Sequence, residues 1–385
     1  MKIVHVTLRF DAPGGVETTV REISRRLRSA GDEVEVFASD LFDESGWVRR
    51  SDFRPTVDGV PVRRFAIVKR PLPRFTLPVM AGLVDALSAS GAGVIHAHSH
   101  RYGHVLQATA VARRCGIPLV VSTHYHPADR REPPIKKGLL RLEDVVFGMA
   151  SYRVANALIV ESELEGRLVR EFAPGARVHV IPPGIDVQEW DHPSLDRDEG
   201  LPLPDRYLLF VGRIAPNKGL PVLLEALSRI PASDRVPLVL MGPDWGERAA
   251  LEGRARELGI SEELRWLGPV PDRGAYRAVL RRARALVLPS EWEAYGLVLL
   301  EAMAARTPIV ASAVGAVPEV LEQGRAGRMV PYGDDGALAD ALRATVNDPE
   351  GTRRLVQFGR EKAERCDWSV AVDRHRALYR ELVGA

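Results

Sequence analysis

The chain has 385 residues, more than one hydrophobic core usually serves, so two domains of similar size are expected. Hydrophobic residues make up 45% and charged residues 27%, the balance of a soluble globular protein, and a net charge of +2 is too small for a nucleic-acid binder. Only two cysteines occur, Cys115 and Cys366, without metal-ligand spacing, which argues against a disulfide framework and for a reducing, cytoplasmic setting.

In chain order, "MKIVHVTLRF" reads as a first strand rather than a signal peptide, and no apolar run approaches the ~20 residues needed to span a bilayer. "LRFDAPGGVETTV" then places Gly14 and Gly15 between that strand and a helix whose Val16, Val20, Ile23 and Leu27 share one face. Glycines there allow either a tight turn or close approach of an anion to the helix N-terminus. The spacing is not G-x-G-x-x-G, so no dinucleotide site is inferred. Further apolar runs follow at 33–39, 93–99, 118–124 and 157–162. Strands that are nearly continuously apolar and alternate with amphipathic helices specify a parallel sheet covered on both faces.

"HAHSH" sets His96, His98 and His100 at period two, on one face if the strand continues, and "STHYH" adds His124 and His126 on a neighbouring strand. One strand-end histidine contacting a substrate hydroxyl is the leading reading. A metal-dependent hydrolase or deacetylase using His96, His98, His100 and His124 is the alternative, although no carboxylate stands at a familiar ligand spacing. Basic segments at 62–74 and 129–142 are either solvated faces or contacts for an anionic membrane or acidic acceptor.

The Pro- and Asp-rich stretch from 182 has no apolar period and reads as a linker, assigned to 187–204, between a domain at 1–186 and a second at 205–365. Its "DRD" at 196–198 is read as solvated acids rather than a metal motif. The second domain repeats the strand series at 207–213, 237–243, 264–268, 285–290 and 307–313, and a helix at 366–385 closes the chain. In "VGRIAPNKG", Arg213 and Lys218 emerge after a strand, where a guanidinium fork and an exposed ammonium suit a diphosphate. In "LPSEWEAYGLVLLEAMA", Glu293 lies in a loop and Glu301 in the second turn of a helix beginning near Gly296. The amides of Tyr295, Gly296, Leu297 and Val298 would face an anion, and one carboxylate can accept both hydrogen bonds of a vicinal diol. Helix-capping glutamates are the plainer reading.

Glu293 and Glu301, with seven residues between them, resemble the E-x7-E signature of retaining glycosyltransferases with the GT-B fold, family 4 (glycosyl transferases group 1). "PGGVE", "VGRIAPNKG", "IPPGID", "GAVPEV", "GRAGRMVPYGD" and "DWSVAVDRHRALYREL" resemble other family segments in the same order, over nearly the whole chain. The resemblance implies two Rossmann-like domains facing a central cleft, with the last helix crossing back to the first domain. It implies that Arg213 and Lys218 grip the diphosphate of a UDP- or GDP-linked sugar, that Glu301 binds the ribose and that Glu293 faces the transferred sugar. Gly14 and Gly15 would lie near the phosphates, His124 near the reaction centre, and the backbone at Val270 near the base. Acceptor-side candidates are His98, Glu17 and Tyr125. No metal or other cofactor is implied: transfer with retention proceeds by front-face attack, the acceptor hydroxyl passing its proton to the departing phosphate, with domain closure completing the site. The acceptor would be a glycan, a lipid-linked sugar or a small molecule, at a cytoplasmic or peripheral-membrane location. Arg306 departs from the family, which usually has glycine after "EAMA", and Tyr295 replaces a common phenylalanine. A glycogen- or sucrose-type synthase would differ only in acceptor, and a non-catalytic sugar-nucleotide binder would lack turnover.

Overall fold

The computed structural model describes every residue except 13, 44–47, 53, 69–78, 128–132, 193, 195, 198–199 and 385. The chain divides into two compact units, Met1–Pro183 with Trp368–Ala385, and Gly184–Asp367. Each is an α/β unit built on a twisted sheet.

The first unit has an eight-stranded sheet. From edge to edge its strands are Val178–Val180, Ala157–Val160, Leu119–Ser122, Val94–His98, Lys2–Thr7, Glu33–Ser39, Val60–Phe65 and Thr56–Val57. All pairings are parallel except the last. Lys2–Thr7, Val94–His98 and Leu119–Ser122 are buried almost throughout, because helices cover both faces of the sheet. Helix Gly15–Ser29 buries Val20, Ile23 and Leu27, as the period-3.6 pattern predicts. The C-terminal helix Trp368–Gly384 belongs to this unit: Trp368, Ala371, Val372, Leu378 and Tyr379 share a core with Ile3, Ile23, Leu27 and Val120. Its Arg376 meets Asp32 at 2.8 Å.

The second unit has a six-stranded, all-parallel sheet in the order Leu264–Gly268, Leu238–Met241, Leu208–Val211, Ala285–Leu288, Ile309–Ser312, Arg328–Val330. The stretch expected as a linker is folded into this unit. Helix Val187–Trp190 buries Val187 and Trp190 in its core. Four residues are too few to show an apolar period, which is why the sequence reads as unstructured there. Asp196, expected to be solvated, meets Arg281 at 2.7 Å and Arg277 at 3.3 Å; Asp198 lies outside the described residues.

In both sheets the chain starts in the middle, builds outward to one side, then returns to build the other. The reversal falls between Lys2–Thr7 and Val94–His98 in the first unit, and between Leu208–Val211 and Ala285–Leu288 in the second. Loops leaving such strands at their carboxyl ends diverge and open a crevice, the usual ligand site of an open α/β sheet. His98 ends one of these strands, and Arg213 and Glu293 follow two others.

Candidate active site

In the second unit, strand Ala285–Leu288 leads into the loop Pro289–Tyr295, which is clamped at both ends. Gly219 (φ +66°) presses on the Pro289 carbonyl oxygen so closely that a Cβ there would lie 1.9 Å from it. Gly315 (φ +54°) does the same to the Glu293 carbonyl, which also accepts from the Ala316 amide at 3.0 Å. Glu291 N–H donates to Asn217 at 3.0 Å. So the "APNKG" turn and the glutamate loop are one packed assembly.

On this assembly Lys218 Nζ donates to Glu293 Oε1 at 2.6 Å, and Ser290 Oγ donates to the same oxygen at 2.6 Å. Lys218, expected to be exposed, is therefore largely buried and neutralised by Glu293, with 13% of its side chain accessible. Arg213 is exposed and stacks over the Trp245 ring at 4.3 Å, a cation–π contact that holds the guanidinium flat.

Helix Leu297–Ala305 starts directly after Gly296, whose φ of +85° is a left-handed conformation natural to glycine. The first amides of this helix have no intrahelical acceptor and present the positive end of its dipole. Leu297 and Val298 are half-buried, whereas the Tyr295 side chain packs in the core, so only its backbone can serve an anion. One turn on, Glu301 Oε2 accepts from Tyr276 Oη at 2.5 Å, and Oε1 faces Arg273 Nη1 at 3.4 Å. Burial pushes the Glu301 carboxyl above its ordinary range, and Arg273 and Tyr276 oppose that shift. Arg273 is held in turn by Glu189 at 3.0 Å, a residue of the expected linker. Val270 is half-buried against the same core, just past the Leu264–Gly268 strand. Arg306 caps the helix at φ +60° and meets Asp191 at 3.3 Å. Glycine would occupy that left-handed position without strain, the physical reason for the residue the family usually places there.

In the first unit the histidines divide. His96 and His98 share the strand face as expected, with ring centroids 4.1 Å apart. His100 does not join them. The chain turns at Ser99 (φ +84°) and Arg101 (φ +62°), and His100 leaves to bond Asp144 at 2.8 Å and Tyr152 at 2.6 Å. His5, from the adjacent strand, takes its place, its Nδ1 lying 2.9 Å from His98 Nε2. His5, His96 and His98 bring one ring nitrogen each within 4.8 Å of one another, but all three are fully buried and, among the described residues, no carboxylate joins the group. His96 is held by Tyr379 Oη at 2.6 Å and by Ser122 Oγ at 2.8 Å. Burial, reinforced by neighbouring imidazoles, keeps His96 and His98 well below the usual histidine pKa and takes His5 to about 3. This is a neutral, hydrogen-bonded core, not the four-histidine set of the hydrolase alternative.

His124 differs. It stacks on His98 at 5.8 Å, adopts φ +42°, and places Nδ1 3.1 Å from Glu161 Oε1. Its Nε2 is buried without a hydrogen-bond partner. Burial alone would lower its pKa, but Glu161, with help from Glu165 and Glu17, outweighs burial and raises it. The local sequence explains the placement. Ser162 caps helix Glu163–Phe172 through the Glu165 amide at 3.1 Å, while Glu165 accepts from the Thr123 hydroxyl at 2.5 Å and from the amides of Tyr125 and Glu161 at 2.7 Å. One buried carboxylate thus ties both sides of the His124–Glu161 pair together.

Gly14 and Gly15 start helix Gly15–Ser29, and a Cβ on Gly14 would lie 2.1 Å from Glu17 Oε2. The acceptor-side candidates are all buried and engaged. Glu17 pairs with Arg9 at 2.6 Å, Tyr125 Oη donates to Asp144 at 2.9 Å, and His98 is sealed behind His124. Sequence reading missed His5, Glu161, Glu165, Ser290, Arg273 and Tyr276. The S-x-x-E pattern at Ser162–Glu165 was a legible signal for one of them; the others meet the site only through tertiary contacts.

These two sheets, the clamped E-x7-E loop and the strand-end histidine define a glycosyltransferase of the GT-B class. Residues 13–189 match the description "Glycosyltransferase Family 4" and residues 191–362 match "Glycosyl transferases group 1". The chain belongs to this family and is a glycosyltransferase. It is 32% identical to D-inositol 3-phosphate glycosyltransferase 1 of Catenulispora acidiphila, covering 96% of this chain and 91% of that one. It is also 32% identical to the phosphatidyl-myo-inositol mannosyltransferase of Mycobacterium leprae, covering 96% and 94%. Among solved structures, sucrose-phosphate synthase from Thermosynechococcus elongatus shares the fold with a TM-score of 0.78 at 24% identity, covering 100% and 99% of the two chains. HepE of Anabaena, solved with UDP and glucose, does so with 0.77 at 20%, covering 98% and 99%.

Proposed function

We propose that this enzyme transfers a sugar from a UDP- or GDP-linked donor to a hydroxyl of an inositol-bearing acceptor, with retention and without a metal. The observation that carries this reading is the convergence of Lys218, Glu293 and the Gly296-capped helix at the crevice of the second sheet. Cleaving a sugar–phosphate bond develops negative charge on the diphosphate. Arg213, Lys218 and the amides at Leu297 and Val298 supply a fixed positive environment for it, so no step needs a metal. Lys218 is held by Glu293 in this structure, so donor phosphate competes for an ammonium already in place, and the released Glu293 carboxylate is free to orient sugar hydroxyls. Glu301 accepts from the ribose diol in place of Tyr276. In the first unit, His124 with Glu161 behind it is the candidate polar contact for the sugar or the acceptor hydroxyl. The two inositol-directed relatives motivate the acceptor, and membrane attachment at the cytoplasmic face would suit a lipid form of it.

The test is nucleotide release from a panel of UDP- and GDP-sugars, with and without EDTA and with inositol phosphates added. Release from one donor, undiminished by EDTA and lost in Glu301→Ala, is expected. Lys218→Ala should lower kcat/KM by about a hundred-fold or more. Activity abolished by EDTA, or Lys218→Ala within a few-fold of wild type, overturns the reading.

A further inference from the structure

Helix Pro134–Phe147 of the first unit carries an apolar stripe that no described residue covers. Ile135, Leu139, Leu142 and Val146 follow the i, i+4, i+7, i+11 spacing of one helical face, and they are 81%, 60%, 60% and 59% exposed. Met149, in the following turn Gly148–Tyr152, extends the stripe. Scattered exposed aliphatics are ordinary, but a contiguous row on one helix marks an interaction surface. The opposite face is pinned. Asp144 is buried and accepts from His100 Nε2 at 2.8 Å, Arg101 Nε at 2.5 Å and Tyr125 Oη at 2.9 Å, and Phe147 is buried beside it. Those bonds fix the helix rotation, so the stripe faces outward by construction.

The charges select the occupant. Lys136 and Arg141 lie about 100° and 120° round the helix from the stripe, one on each flank. Both are exposed. Glu143 borders the stripe and is half-buried, and the other acid on the helix, Asp144, faces inward. An apolar row flanked by basic side chains fits the boundary between lipid headgroups and acyl chains, where the aliphatics enter hydrocarbon and the cations meet anionic headgroups.

We infer that helix Pro134–Phe147 is an interfacial helix that docks this enzyme on an anionic lipid surface through Ile135, Leu139, Leu142 and Val146, with Lys136 and Arg141 at the headgroups. This deepens the proposed membrane setting of the acceptor and rests on it. Tyr125, adjacent to His124, bonds the inner face of the same helix, so docking places the reaction-side histidine next to the lipid surface.

The test is sedimentation of the full chain with vesicles of phosphatidylcholine containing about 30 mol% phosphatidylglycerol, compared with phosphatidylcholine alone. Binding is expected to the anionic vesicles at low salt and to weaken at high salt. It should fall at least about ten-fold in Ile135→Ser/Leu139→Ser/Leu142→Ser/Val146→Ser, and also in Lys136→Glu/Arg141→Glu. Nucleotide release from soluble donor should be unchanged in both variants, because none of these residues belongs to the donor site. Equal sedimentation of wild type and the serine variant, or none by wild type, overturns the inference. A wild-type dimer by light scattering that the serine variant abolishes, without vesicle binding, overturns it in favour of self-association. Vesicle binding needs no sugar transfer: its loss with nucleotide release intact sinks only this inference, and the converse sinks only the proposed reaction.

Discussion

At the scale of single residues, the site depends on pairs in which one partner sets the state of the other. Glu161 is the clearest case. His124 is buried, and burial disfavours its charged form, yet its pKa lies above the ordinary value because Glu161 sits 3.1 Å away. Glu161→Gln keeps the hydrogen bond and removes the charge, so His124 should titrate at lower pH, measurable by NMR of labelled histidine. The sign for stability follows: His124 contributes stability fully below its unfolded pKa, lost as pH rises through the raised folded value. The variant should lose that contribution on the acid side of neutrality. An unmoved His124 titration would show that Glu161 does not set its charge. The Lys218–Glu293 pair has the same logic in the second unit, and the spacing in the sequence did not announce it. Arg213, Lys218, Glu293 and Glu301 were legible because motif and position coincided. Their partners Ser290, Tyr276 and Arg273 were not, because a side chain reaching across a fold leaves no periodic trace.

At the scale of elements, the glycines decide where the chemistry sits. Gly219 and Gly315 let two turns press on the glutamate loop from both sides, and Gly296 starts the helix that follows it. Gly219→Ala would need a Cβ 1.9 Å from the Pro289 carbonyl oxygen, in a backbone conformation that side chains rarely adopt. The obstacle is backbone and cannot swing away. The substitution should therefore cost on the order of 2–4 kcal/mol of stability by urea unfolding, and shift the loop enough to raise KM for the donor. Loss below about 0.5 kcal/mol with unchanged KM would show that the clamp is not rigid. The sequence showed these glycines only as breaks between elements. Which carbonyl each one approaches follows from strand order: the parallel pairing of Leu208 with Ala285 brings the turn and the loop together.

At the scale of the molecule, the first unit buries an unusual number of imidazoles. His5 is held at about 3, His104 and His375 at about 4, and His96 and His98 well below 6.5, all chiefly by burial. These are neutral in the folded state and protonate on unfolding in mild acid. Between pH 6.5 and 5 the unfolded chain therefore binds more protons, and stability falls as pH falls, with a limiting slope of about 1.4 kcal/mol per pH unit for each such histidine. His124, raised rather than lowered by its carboxylate neighbours, works in the opposite direction and does not add to this slope. Thermal unfolding followed from pH 7 to 5, above most carboxylate titrations, should show a marked drop in Tm. A flat Tm would mean that these rings are not held neutral.

The sequence by itself determined the two α/β units, the alternation of strands and helices, and the positions of Arg213, Lys218 and the E-x7-E glutamates; the return of the C-terminal helix was implied by the family resemblance. The strands and helices follow from local periodicity and the site motifs from short spacings, which the chain carries wherever it folds. The tertiary structure alone decided that His5 rather than His100 joins His96 and His98, that Glu161 pairs with His124, and that residues 187–190 are core rather than linker. Each of those depends on which elements become neighbours, and neighbourhood is set by sheet order and packing between distant segments, which no local pattern encodes.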